Sequence, residues 1–155
     1  MAETLQNPTV GQITEHLRNR FGDKVAVTKT EERRVYAKVR KEDVFDVCRF
    51  IHDELTFEHA TSVLGNDMID RLEVVYHLSN YYTGTMIELT ADLPLDDLHI
   101  ESVSSIWSGA NWHERETYEL FGIVFDNHPK LERLLTPDTY EFHPFRKSYK
   151  LRGQP

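Results

Sequence analysis

The densest run of side chains capable of chemistry is Trp112-His113-Glu114-Arg115-Glu116-Thr117-Tyr118-Glu119-Leu120-Phe121. A His-Glu pair opens a zinc-protease helix when a second histidine follows one turn later, so that two imidazoles share a face and the glutamate acts as general base. Position 117 is threonine, and the metalloprotease reading fails. Glu114, Arg115 and Glu116 are consecutive, so on a helix they point about 100° apart and cannot all share one solvent face beside Trp112, Tyr118 and Phe121. Two readings stay open. Either some of these charges meet other protein, with Arg115 paired to shielded carboxylates, or the acids of a first turn merely complement the helix dipole, worth below ~1 kcal/mol each when exposed. The eight histidines are scattered, none at closed metal-site spacing from Cys, Asp or Glu. His128-Pro129 and His143-Pro144 read as chain turns in which proline fixes the backbone and histidine bonds a neighbouring carbonyl. Ser102, Ser104, Ser105 and Ser108 lack the glycine frame of a nucleophile elbow, and no glycine-rich phosphate loop is present.

These residues need elements to position them. Asn111, with Glu114 three residues on, predicts a capping box for a helix that Gly122 closes. Upstream, Thr9 and Gln12 form another box ahead of Val10, Ile13, Leu17 and Phe21 at helical spacing, ended by Gly22. Val25 and Val27, then Val35, Ala37 and Val39, alternate as a hairpin around a polar turn at Thr30 to Glu32. Val44, Val47, Cys48, Ile51 and Leu55 mark a second amphipathic helix, on which Cys48 reads as a small core residue. Strands are expected over His59 to Leu64, Arg71 to Ser79 and Thr85 to Ala91, with turns at Gly65-Asn66-Asp67 and Gly84, and Leu93 to Asp97 as a linker. This order predicts an α+β two-layer sandwich: a mixed or antiparallel sheet covered by helices, with an extended C-terminal tail. The expected division is a single domain over 1–142 and a basic docking tail over 143–155.

A length of 155 residues suits one domain, and 39% hydrophobic with 28% charged residues is neither disordered nor fibrous in composition. The longest apolar stretches, such as Ile123-Val124-Phe125, fall far short of the ~20 residues that cross a bilayer. The N-terminus lacks a basic segment followed by an apolar one, so an intracellular protein is expected. Cys48, as the one cysteine, can neither close an intrachain disulfide nor supply the four thiolates of an iron–sulfur cluster. Net charge is −8 but uneven: Arg146, Lys147, Lys150 and Arg152 make the tail +4 and leave −12 on residues 1–142. Such a tail suits an acidic surface.

Residues 109 to 149 carry a longer pattern: Gly109-Ala110-Asn111-Trp112-His113-Glu114-Arg115-Glu116, Tyr118-Glu119-Leu120-Phe121-Gly122-Ile123, Asn127-His128-Pro129, Leu134-Leu135 and His143-Pro144-Phe145-Arg146-Lys147. Together they resemble the thirty-kilodalton, or C, subunit of complex I and its chloroplast-type J and archaeal deazaflavin-dependent dehydrogenase relatives. Upstream, Val74-Val75-Tyr76-His77-Leu78 is similar to that family's central strand. Glu132, Tyr140 and Ser148 depart from its usual basic residue, tryptophan and aspartate. The resemblance implies a non-catalytic peripheral-arm subunit of a membrane-associated, proton-translocating dehydrogenase that passes electrons to a quinone or methanophenazine. It implies no cofactor in this chain, with flavin and iron–sulfur clusters in partner subunits. It further implies packing against the large quinone-chamber (forty-nine-kilodalton, D-type) subunit and the iron–sulfur subunits, at the cytoplasmic face of the membrane. The interface residues it marks are Trp112, Glu114, Arg115, Glu116, Tyr118, Phe121, His128, Pro129, His143, Pro144, Arg146 and Lys147. The alternative is a nucleic-acid-binding module using the basic tail, with Phe142, Phe145 and Tyr149 as stacking groups, opposed by the −12 body. A hydrolase using His113 and Glu116 has no nucleophile.

Overall fold

A computed structural model describes residues 4–151. Thr9 accepts from the Gln12 amide while the Gln12 side chain accepts from the Thr9 amide, and this reciprocal box starts α1, Val10–Phe21. Gly22, at φ 53°, ends it. The hairpin follows as β1, Val25–Thr30, and β2, Arg34–Arg40; α2 covers Val44–Asp53. Three long strands come next: β3, His59–Asp67; β4, Arg71–Ser79; and β5, Met86–Pro94. Then come β6, His99–Glu101; α3, Ala110–Phe121; and β7, Val124–Asp126.

The main sheet runs β1-β2-β5-β4-β3, antiparallel except where β5 lies parallel to β2. One face carries Val35, Ala37, Leu72, Val74, Tyr76, Leu78, Ile87 and Leu89 into a core shared with Ile13 and Leu17 of α1 and Val44, Val47, Cys48 and Ile51 of α2. Period-2 alternation on the strands meets period-3.6 stripes on the helices, which is the two-layer arrangement the sequence predicts. The other face is polar and cross-paired: Lys38 to Asp92 at 2.9 Å, Arg71 to Asp92 at 3.3 Å and His77 to Glu88 at 3.3 Å.

Three expectations change. Gly65-Asn66-Asp67 is strand, not turn: β3 continues through it, and the reversal falls at residues 68–70, where Asp67 Oδ1 accepts from the Ile69 amide. Gly65 serves close approach here, since a Cβ would stand 2.5 Å from the Phe121 ring. Leu93 and Pro94 belong to β5 rather than to a linker, because Leu93 keeps the inward alternation and Pro94 sits at the end of the ladder opposite Arg71. A second, two-stranded sheet also exists: β6 pairs in parallel with β7, burying Ile100 and Phe125 and bracketing α3.

Candidate functional site

Sequence periodicity alone places Ala110, Glu114, Thr117 and Phe121 on one stripe of α3, and all four are buried. The capping box expected from Asn111 and Glu114 does not form: Gly109 precedes the helix and no side chain caps it. Glu114 is drawn inward instead, because the chain leaving β6 presents buried donors. Its Oε1 accepts from the Val103 amide at 2.7 Å and its Oε2 from the Ser102 hydroxyl at 2.6 Å. Burial pushes this carboxyl up to about 7, against the pull of those two hydrogen bonds. His128 stands over it, Nε2 lying 3.8 Å from Oε2. The Lys130 amide donates to Nδ1, which leaves Nε2–H to donate to the Asn111 carbonyl at 3.2 Å. Burial holds this imidazole below the ordinary histidine value. Pro129 follows on the exposed side of the turn.

Glu119 is the second buried acid of the helix. The amides of Leu134, Leu135 and Thr136 and the Thr136 hydroxyl all donate to its carboxylate. Burial raises this carboxyl, but these donors outweigh it and bring it below the usual glutamate range. Glu119 thus fixes residues 134–136 against α3. Thr117 donates to the Val63 carbonyl at 3.1 Å and ties α3 to β3, while the half-buried Tyr118 packs on the core.

Arg115 does not pair with shielded carboxylates. It donates to the Glu132 and Arg133 carbonyls at 3.0 and 3.5 Å, with its guanidinium 5.0 Å from the Trp112 ring centre. The acids flanking it divide, Glu114 facing inward and Glu116 facing solvent, so neither meets it.

A helix leaves its last carbonyls without partners, and here residues 143–146 supply donors. His143 Nδ1–H donates to the Glu119 carbonyl at 3.1 Å, the Phe145 amide to Leu120 at 3.0 Å and Arg146 Nη1 to Phe121 at 3.3 Å. Gly122 at φ 80° closes the helix, and a Cβ there would stand 2.8 Å from the His143 ring. Pro144 makes the turn between these donors. The Lys147 amide then donates to Asp67 Oδ2 at 2.7 Å, with Arg146 Nε 3.7 Å from the same oxygen. Burial raises the Asp67 carboxyl, but the Lys147 and Ile69 amides and the two cations bring it below its ordinary value. Among the described residues the tail has no helix or strand, yet residues 143–149 form turns against the body instead of leaving it. Arg152 lies outside the described residues.

The residues singled out from sequence therefore converge on one region but split in direction. Glu114, Phe121, His128, His143 and Arg146 reach inward to hold backbone or ring. Trp112 (62% exposed) and Phe145 (60%) face outward, as do Leu135, Phe142 and Leu151 nearby. Asp67, Ser102, Thr117, Arg133 and Thr136 have structural roles here that the sequence reading missed. For Thr117 and Glu114 the signal was present, as polar residues on the apolar stripe of α3.

The sequence model of the family described as "Respiratory-chain NADH dehydrogenase, 30 Kd subunit" matches residues 37–155. The chain belongs to this family. Among relatives of the 30 Kd subunit, the C subunit of F(420)H(2) dehydrogenase from Methanosarcina mazei is 42% identical over 142 residues, covering 89% of this chain and 90% of the relative. The C subunit of NADH-quinone oxidoreductase from Geobacter metallireducens is 37% identical, covering 88% and 87%. Its counterpart from Salinispora tropica is 38% identical over 87% of this chain, which spans only 58% of that longer relative. Two solved structures share the 30 Kd fold at 24% identity. One is a chain in the structure of the membrane-bound sulfane sulfur reductase, an archaeal respiratory membrane complex, with TM-score 0.81 over 92% of this chain and 86% of that chain. The other is the trypsin-resistant fragment of Nqo5, with TM-score 0.65 over 79% and 98%. Nothing in these likenesses supports the nucleic-acid alternative.

Proposed function

We propose that this chain is a peripheral-arm subunit of a membrane-associated, ion-translocating, complex I-like dehydrogenase, which it assembles rather than catalyses. The observation that carries the reading is the division of labour in the C-terminal third. Its buried acids and histidines are used up in bonding backbone, while Trp112, Leu135, Phe142 and Phe145 stand in water on the scaffold so fixed. Rigid, exposed aromatic groups of this kind are what protein interfaces use as anchors. The occupant is the large quinone-chamber subunit, with the iron–sulfur subunits beyond it. Flavin and clusters reside in those partners, and this chain reaches the cytoplasmic face of the membrane only through them. Relatives named for NADH-quinone and for F(420)H(2) dehydrogenases support electron delivery from either kind of donor through the partners.

Replacing Trp112 and Phe145 together by serine in the assembled complex tests this. Both side chains are mostly exposed, so the melting temperature of the free chain should change little. Co-purification with the quinone-chamber subunit should fall about tenfold or more. Undiminished assembly of the double variant overturns the reading.

A further inference from the structure

The hairpin that joins β3 to β4 is built against the backbone preference of its own residue. The Met68 amide donates to the Arg71 carbonyl at 2.9 Å and closes a loop whose central residues are Ile69 and Asp70. Of these two only Ile69 takes a positive φ, 75°. A hairpin loop with positive φ at its first central position alone takes glycine there. A β-branched residue is an outlier at such a φ, because its Cβ crowds the following carbonyl. The other non-glycine residues with positive φ among the described residues have a local reason. Asn7 and Asn127 carry the short amide that tolerates the conformation, and the Thr56 hydroxyl bonds the Leu5 and Leu55 carbonyls at 3.2 and 2.7 Å. Ile69 has neither reason. Burial does not compensate it, since Ile69 is 72% exposed and Met68 beside it 38%.

The same carboxylate that anchors the tail fixes this turn. Asp67 accepts from the Ile69 amide at Oδ1, 2.8 Å, and from the Lys147 amide at Oδ2, 2.7 Å, so the hairpin and the tail stand two hydrogen bonds apart. Two residues before Lys147, the Phe145 ring lies edge to face with Phe121, centres 5.8 Å apart, and Phe121 lies in turn against Gly65 of β3. Asp67 and Phe121 therefore join the exposed groups Ile69, Met68 and Phe145 into one stretch of surface. Strained backbone persists where its surroundings over-determine it, and such places cluster at contact and clamp sites. Asp67 supplies that constraint here.

We propose that Ile69, flanked by Met68, is an apolar anchor of the interface carried by the C-terminal third, and that it inserts into a pocket on the same large quinone-chamber subunit. This rests on the docking role given above to Trp112 and Phe145, and extends that surface along β3 to the hairpin tip. Continuity argues for one occupant, because a partner seated on Phe145 meets the turn that Asp67 ties to the tail. Preorganisation argues for an anchor: a side chain already aimed by a fixed backbone loses little entropy on docking and gains the burial of its whole apolar surface. Charge argues for protein over an anionic lipid surface, since the exposed carboxylate of Asp70 stands next to the apolar pair.

The test uses the intact complex, with a photo-crosslinking amino acid placed in turn at Asp70, which leaves Ile69 in place, and at Trp112. Asp70 should capture the large quinone-chamber subunit. In a separate variant, Ile69→Asn removes the apolar side chain and puts at this φ a residue that tolerates it. The melting temperature of the free chain should hold or rise, while co-purification of the large subunit should fall about tenfold. That opposition is what a side chain kept for docking predicts and one kept for folding does not. Capture at Asp70 of a different subunit, of lipid only or of nothing overturns the proposal. Full retention of the large subunit by Ile69→Asn does the same, as does a lowered melting temperature, which would assign Ile69 to its own domain. Failure of the Trp112 adduct alone strikes the C-terminal reading, whereas capture of the large subunit at Asp70 still upholds this one.

Discussion

Glu114 and Glu119 sit five residues apart on one helix, both fully buried, and respond to pH in opposite directions. Glu114 holds its proton to about pH 7 in the folded chain, whereas an unfolded glutamate releases it near 4.5. The folded state therefore binds more protons between these values, and Glu114 makes stability fall as pH rises through that window. Glu114→Gln should flatten this decline, which is on the order of 3 kcal/mol by the size of the shift. Chemical denaturation of both proteins from pH 5 to 8 measures it; equal slopes refute the assignment. Glu119 has a folded value below the unfolded one, so its contribution is present above about pH 4.5 and is lost as pH falls through the depressed value. Glu119→Gln should cost about 2–3 kcal/mol at pH 7, the worth of hydrogen bonds to a charged acceptor, and progressively less in acid. A variant that matches the parent at neutral pH shows that the donors from residues 134–136 bind water equally well.

At the level of elements, the end of α3 decides how the tail behaves. Three carbonyls of the last turn take donors from His143, Phe145 and Arg146, and Asp67 takes the Lys147 amide. Truncation after residue 142 leaves all four acceptors without these partners and should lower the melting temperature of the free chain by roughly 5–10 °C. An unchanged transition means that the contacts are not maintained in solution. This is more than the sequence allowed for, because proline, glycine and four cations describe a segment unfit for a helix but not the surface it lies on. The capped N-terminus of α1, the hairpin and the amphipathic α2 were all readable, since capping and periodicity are local properties. β3 was misread at Gly65 because its glycine answers to the Phe121 ring, 56 residues away in sequence. Glu114 was misread as a cap for a similar reason: the spacing fits a box, but buried donors at Ser102 and Val103 compete for the same carboxylate. β6 and β7, three residues each, carry too little periodicity to find.

Taken whole, the molecule is a mixed five-stranded sheet covered on one face by helices, and its polar face is closed by its own charges. Lys38, Asp92, Arg71 and Glu73 form a chain of ion pairs across adjacent strands, so that face offers a partner few free charges. On the proposed function, the acidic body serves to keep free subunits apart by charge repulsion and the C-terminal aromatic groups serve adhesion to the partner.

The parallel pairing of β2 with β5 sets an order on the birth of the chain. β5 lies in the interior of the sheet, yet it comes last of the five strands, so a nascent polypeptide ending before Met86 has a hairpin and two further strands with nothing between them. Until residues 86–94 clear the ribosome, the inner edges of β2 and β4 are open to other strands, the condition under which unfinished sheets pair wrongly. A fragment of residues 1–85 should show no cooperative unfolding and weak amide protection, while one extended through Pro94 and on to residue 126 should show both. Measured by hydrogen exchange on stalled chains, the same gain of protection should appear in a single step as β5 emerges, and gradual gain from the hairpin onward contradicts it.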